Sequence, residues 1–155
     1  MQLGRIDYKG GYVSNLGISF AVKSNDSVQF TFDQANNALH LEAHDISGAI
    51  TGNFKQKLLL ISATGKFKAS FKDGGISLYI TVPLHTQMVN GRQIPKIDVS
   101  QLQVQFDTRK ITISIWGGFL ADIGDIFIGL FKSTIIHSIG NSINGQLPPK
   151  INAAI

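Results

Sequence analysis

At 155 residues the chain has the length of one domain, and 43% hydrophobic against 15% charged residues is a greasy globular composition. The net charge of +4 is compatible with anionic lipid or nucleic acid, but no dense Lys/Arg run singles out either. Cysteine is absent, which excludes a disulfide scaffold and a thiolate zinc site.

In chain order, Met1-Gln2-Leu3-Gly4-Arg5 leads into strand-like sequence without the charged and apolar regions of a secretory leader. Period-2 alternation then dominates. Leu16, Ile18, Phe20 and Val22 share one face; Val28, Phe30 and Phe32 repeat the pattern after a turn at Ser24-Asn25-Asp26. Leu39, Leu41 and Ala43 follow, then Ile46, Gly48 and Ile50. Gly52 to Lys57 reads as a strand–strand tip carrying Lys55 and Lys57, two cations placed to touch anionic headgroups.

Leu58 to Phe71 alternates again, with Leu58 and Leu60 on one face and Phe67, Ala69 and Phe71 sharing a face past Gly65. Asp73-Gly74-Gly75 is a hairpin signal, and Ile76, Leu78, Ile80 and Val82 return to an end at Pro83. Ile97 to Phe106 reads as one strand with a bulge near Ser100-Gln101; Asp107 to Lys110 turns it into a hairpin with Ile111 to Ile115. No segment leaves room for parallel crossovers, so the sheet is an antiparallel meander over residues 1–116.

Residues 119–147 read as one long helix of about 43 Å. Leu120, Ile123, Phe127, Phe131, Ile135 and Ile139 form its apolar stripe, opposite a polar arc that includes Asp122, Asp125, Lys132 and His137. Gly124, Gly129 and Gly140 each cost about 1 kcal/mol relative to Ala, so packing against the sheet has to hold the helix. Pro148-Pro149 is expected to end it. The charges within its best window argue against a transmembrane span.

Catalytic and metal constellations are missing from this pattern. His40 and His44 share a strand face roughly 13 Å apart, and Asp122 and Asp125 have no third ligand. Gly140 to Gly145 lacks the strand–turn–helix setting of a nucleophile elbow. The expectation is a protein that is not an enzyme and needs no cofactor or metal.

The fold class is therefore α+β, a long curved antiparallel meander packed on one long C-terminal helix. This order resembles the N-terminal half of the bactericidal/permeability-increasing, lipopolysaccharide-binding and plasma lipid-transfer protein family. The resemblance is carried by Ile46-Ser47-Gly48 through to Ala63-Thr64-Gly65-Lys66-Phe67, and by Ile97 to Ile115 followed by Phe119-Leu120 and Ile126 to Ile143. It implies a single, partial tubular lipid-binding domain over 1–155. The family's opening helix, its disulfide and its denser basic tip have no counterpart in these residues.

The resemblance also implies phospholipid or another acyl lipid as partner, with a membrane surface or a protein segment replacing the missing helix as further partners, and no nucleic acid. Extracellular or lumenal residence is implied by the same family, whereas the missing leader and cysteines leave an intracellular site open. Candidate lipid contacts from the strands are Phe20, Phe30, Phe32, Leu60, Phe67, Leu78 and Ile80. From the helix they are Leu120, Ile123, Phe127, Leu130, Phe131, Ile135 and Ile139, with Lys55 and Lys57 at the headgroup. The competing expectation is an interaction protein whose groove is filled by a partner segment.

Overall fold

The computed structural model describes residues 2–23, 25–118 and 121–154. Its nine-stranded sheet is antiparallel at every pairing. Two long strands form the spine: β5 (Ala38–Leu58) and β6 (Ile61–Val89), which meet at Leu59-Leu60. β3 (Gly11–Val22) and β4 (Val28–Asp33) lie end to end along one edge of β5, and β1 (Gln2–Leu3) and β2 (Ile6–Tyr8) extend the sheet beyond β3. Along the far edge of β6 run β9 (Ile111–Trp116), β8 (Gln101–Phe106) and β7 (Arg92–Ile97), again end to end.

This arrangement corrects several expectations. Asp73-Gly74-Gly75 is not a hairpin, because β6 runs straight through it. A hairpin would fold Ile76–Val82 back onto Phe67–Phe71; instead both stretches pair in series with the same long β5. Asp107 to Lys110 likewise joins no hairpin: β8 and β9 do not pair with each other but follow one another along β6. The slip at Ser100-Gln101 is a strand end, with β7 paired to Leu84–Val89 and β8 to Ile76–Thr81. Pro83 sits in the gap between those two pairings, where its missing N–H removes no ladder bond on that edge, so β6 continues to Val89.

The turn-like sequences line up as a crease across the sheet. In β5–β6 the register jumps between Ile46↔Ile76 and Gly48↔Phe71, leaving Lys72–Gly75 as an expanded bulge. Asp45 at φ 55 and Gly74 at φ 80 take up the irregularity in the left-handed region. On one side the 3-10 turn Thr108–Lys110 separates β8 from β9, and the Asp107 amide donates to the Gly75 carbonyl at 2.7 Å. On the other side the 3-10 turn Asn25–Ser27 precedes β4. A straight β5 would reach about 70 Å, and this crease is where the spine can bend.

The helix is longer than expected and changes pitch. α1 (Ala121–Leu130) passes into a π-helical stretch at Phe131–Ile135 and then into α2 (Ile136–Ala154). The widened turn lets both Ile135 and Ile136 face the sheet, where both are buried. Gly140 faces the ring of Phe106 at ordinary contact distance, whereas Gly129 faces open space, so only the first serves packing.

Pro148-Pro149 does not stop the helix. The carbonyls of Asn144 and Gly145 lose their helical donors, but Leu147 and Ile151 pack on the core and Asn152 bonds to Val99 beyond the prolines. By length and composition this 33-residue span could cross a membrane. Its apolar stripe is nevertheless buried on its own sheet: Ile123, Phe127, Phe131, Ile135, Ile139 and Ile143 are all fully covered.

Candidate functional site: an open strip on the inner face

Cross-strand partners lie on the same side of a sheet, so register assigns each side chain to a face. Buried Ile46, Ile50 and Phe54 define the inner face of β5 beyond the crease, and Phe67, Ala69 and Phe71 continue it on β6. The aromatic centre of this half is tight. Phe54 stacks on Phe127 with centroids 4.2 Å apart, and Phe67 touches both Phe127 and Phe131 at 5.3 Å.

The same face extends past the helix. Phe20 pairs with Gly48 and Val22 with Ile46; Phe30 pairs with Leu41 and Phe32 with Leu39. A Cβ on Gly48 would lie 3.2 Å from the Phe20 ring and 2.9 Å from Ile76, placing Phe20 on the inner side. Yet Phe20 is 44%, Val22 49%, Phe30 64% and Phe32 53% exposed. Their neighbours Leu39, Leu41, Ile80 and Val82 are half-buried. The result is a contiguous apolar strip, on both sides of the crease, that no described element crosses.

The expected contact residues divide three ways. Phe20, Phe30, Phe32, Leu78 and Ile80 fall on this face and are partly or largely accessible. Phe67, Ile123, Phe127, Phe131, Ile135 and Ile139 are fully buried between helix and sheet, Leu130 is half-buried, and Leu120 lies outside the described residues, as does Phe119. Leu60 is not on the inner face: it sits in the β5–β6 turn, where the period-2 count from Leu58 no longer applies. Val22, Leu39, Leu41 and Val82 complete the strip and were legible from the same alternation that marked Phe20 and Phe30.

Lys55 and Lys57 are also displaced from expectation. Gly52–Lys57 is regular strand with Phe54 buried inside it, and the turn lies beyond, at Leu59-Leu60. The lysines lie on the outer face of β5 close to that end; Lys55 pairs with Tyr12. Beside them a concavity of about 380 Å³ is walled by Arg5, Tyr8, Tyr12, Lys55 and Lys57. Tyr8 donates to the buried amide oxygen of Gln56 at 2.8 Å, and burial pushes its phenol well above the usual range, so it remains a neutral donor. A second hollow, about 490 Å³, lies between Phe54, Gly65, Lys66 and Trp116.

The histidines have ordinary partners. His40 contacts Thr81 Oγ1 at 3.1 Å and Asp33 Oδ2 at 3.3 Å, while His44 contacts Glu42 at 3.4 Å. Among the described residues no cluster of metal-ligating side chains forms. Asp33 also accepts from the side chain and the amide of Asn36, and these bonds, with that of His40, hold its carboxyl below the ordinary 3.8. A depressed folded pKa contributes stability at neutral pH that is lost as pH falls through it. Protection of the Asn36 amide, taken as its exchange relative to the intrinsic rate at the same pH, is therefore expected to fall below about pH 4 and to return at neutrality; protection that does not change with pH would refute the pinned turn.

The fold defined by this geometry is the α+β tube of a large curved antiparallel sheet around one long C-terminal helix. It is the fold of the crystal structure of lipopolysaccharide binding protein, with a TM-score of 0.52 and 16% identity over 94% of this chain and 34% of that one. Takeout 1 of Epiphyas postvittana shares it, with a TM-score of 0.52 and 10% identity over 97% of this chain and 70% of that one. The chain thus spans about a third of the length of the first of these proteins. At such identities the likeness is one of fold. No family model matches the sequence, and no curated protein matches it.

Proposed function

We infer that this chain is a lipid-binding module that lays acyl chains along the open strip between β4, the crease and the helix. The observation that carries the reading is the exposure of Phe20, Val22, Phe30 and Phe32 on the face that elsewhere forms the core. A sheet normally turns polar residues outward where nothing covers it, and a contiguous exposed apolar surface marks a place that binds something. The strip runs along strands rather than ending in a closed pocket, which suits a long flexible apolar ligand. Each 100 Å² of acyl chain removed from water contributes about 2.5 kcal/mol without any specific polar contact. The name of the first structural neighbour, a lipopolysaccharide binding protein, is consistent with such cargo. Carriage between membranes, and membership of the lipid-transfer family itself, belong to the same proposal.

The test is uptake of a fluorescent fatty acid or phospholipid by delipidated protein. Phe30→Ser with Phe32→Ser is expected to lower affinity about tenfold or more while leaving the thermal midpoint unchanged or higher, because both rings are exposed in the free protein. Uptake that survives the double substitution would move the cargo elsewhere. A wild-type chain that takes up no lipid, yet binds an amphipathic peptide on this strip, would support the partner-segment alternative instead.

A further inference from the structure

The outer face of the half of the sheet that holds β9 is small and polar until its last two rows. Register sets Ser19, Ala49, Ser70 and Thr112 side by side, then Thr51, Lys68 and Ser114. The next row runs Ser14, Asn53, Lys66 and Trp116, and the last Tyr12, Lys55 and Thr64. Two large aromatic side chains thus stand on the face that does not build the core. Trp116, the chain's single tryptophan, is 50% exposed. The hollow of about 490 Å³ lies between them, with Tyr12 on one wall, Trp116 on the other, and Asn53, Thr64 and Lys66 on the strands between. The Arg5 guanidinium sits 3.8 Å over the Tyr12 ring and is itself held by Asp7 at 2.8 Å, which braces that wall.

The lining is one-sided in its hydrogen-bonding chemistry. Trp116 Nε1, the Asn53 amide nitrogen and Lys66 Nζ are donors, the hydroxyls of Ser14 and Thr64 can donate, and no carboxylate is present. None of these five side chains makes a hydrogen bond or ion pair with another described residue. A saccharide presents hydroxyls that donate as readily as they accept, and this lining offers them few acceptors. A polyproline II segment presents the complement: carbonyls without the N–H groups of its prolines, and ring faces that pack on aromatic walls. The dimensions agree. Three strand spacings, about 14 Å, separate β3 from β9, and at about 3.1 Å per residue about five residues of polyproline II cover that span. Lys66, with Lys55 beside it, supplies positive charge that no described acid neutralises, so the complementary segment carries an acidic residue next to its prolines.

We propose that the hollow between Tyr12 and Trp116 is a docking groove for a proline-rich, acid-flanked segment of a partner protein, bound in the polyproline II conformation. Proline rings pack against Trp116 and Tyr12, the segment's carbonyls accept from Trp116 Nε1 and Asn53, and its acidic residue pairs with Lys66. The groove lies on the opposite face of the sheet from the apolar strip, so it goes beyond the lipid-binding reading and does not depend on it.

The probe is a fluorescein-labelled peptide of about six prolines with a glutamate at each end. Its anisotropy is followed on titration with the full chain, and unlabelled peptide is followed by the emission of Trp116. Saturable binding with a shift in that emission is expected. Trp116→Ala should weaken binding at least about tenfold, as the loss of a central aromatic anchor does. Lys66→Glu should weaken the glutamate-flanked peptide several-fold and strengthen a lysine-flanked one. Its side chain is exposed and unpaired among the described residues, so this variant decides the matter even where Trp116→Ala fails to fold.

Wild type that binds no peptide at up to about 1 mM overturns the proposal. Equal binding of a peptide with serines in place of the prolines also overturns it, because charge alone would then account for the contact. Affinity indifferent to both substitutions places the peptide elsewhere and has the same consequence. A maltooligosaccharide that shifts Trp116 emission where the proline peptide does not would make this a sugar site and overturn it as well.

Discussion

Phe67→Ala is expected to cost about 3–5 kcal/mol, a large fraction of the stability of any single domain. Phe67 is fully buried, and its ring meets Phe127 and Phe131 from the helix at 5.3 Å each. Its partner across β5 is Gly52, which has no side chain to swing into the space; the partner on the other side is Ile115. A cavity left here cannot collapse cheaply, which puts the cost at the upper end for a truncated aromatic. The midpoint of urea unfolding should therefore fall sharply at an unchanged slope. Phe30→Ala makes the contrast: the same truncation on an exposed ring should shift stability by no more than about 0.5 kcal/mol. Equal losses from the two substitutions would mean that the strip is core and the reading of an open face is wrong.

That contrast marks the limit of what the sequence reveals. Period-2 alternation placed Phe20, Phe30, Phe32, Phe67, Leu78 and Ile80 on one face of an antiparallel sheet, and the register agrees. Alternation states the face but not its cover, so Phe67 and Phe30 look alike until the helix is in place. Turn chemistry was similarly ambiguous. Asp73-Gly74-Gly75 and Asp107 to Lys110 supply the conformations of a hairpin, and the same conformations serve a bulge and a strand break aligned across neighbouring strands. Only the length of β5, able to pair with both halves of β6, decides between them. The β5–β6 turn was hidden for a different reason: Leu58 to Ile61 reads as continued strand because its residues are apolar, and Leu59-Leu60 makes the turn without the usual turn residues.

Pro148-Pro149 failed as a helix stop because two asparagines tie the helix to an unpaired strand edge. Among the described residues β8 pairs with β6 alone, so its other edge, like the segment at Val99 that leads into it, presents backbone groups that need partners. Asn144 Oδ1 accepts from the Val104 amide at 2.8 Å. Asn152 accepts from the Val99 amide at 2.7 Å and donates to the Val99 carbonyl at 3.2 Å, pairing with the backbone as a neighbouring strand would. Val99 and Val104 are both buried, so water is poorly placed to replace either asparagine. Asn152→Leu is expected to cost about 2–4 kcal/mol, a full desolvation penalty for a buried amide and carbonyl left unmade, and Asn144→Leu about half as much. Loss should be local before it is global: beyond Pro149, among the described residues, Ile151 alone joins Asn152 in holding the turns of α2, so they should fray first. Hydrogen exchange is the measurement. Faster exchange at Val99 and along residues 150–154 in Asn152→Leu, with Phe67 and its neighbours still protected, is the expected pattern. Uniform acceleration across the sheet would instead make the edge bonds part of the global unfolding unit, and protection unchanged at Val99 would show that its amide has another partner.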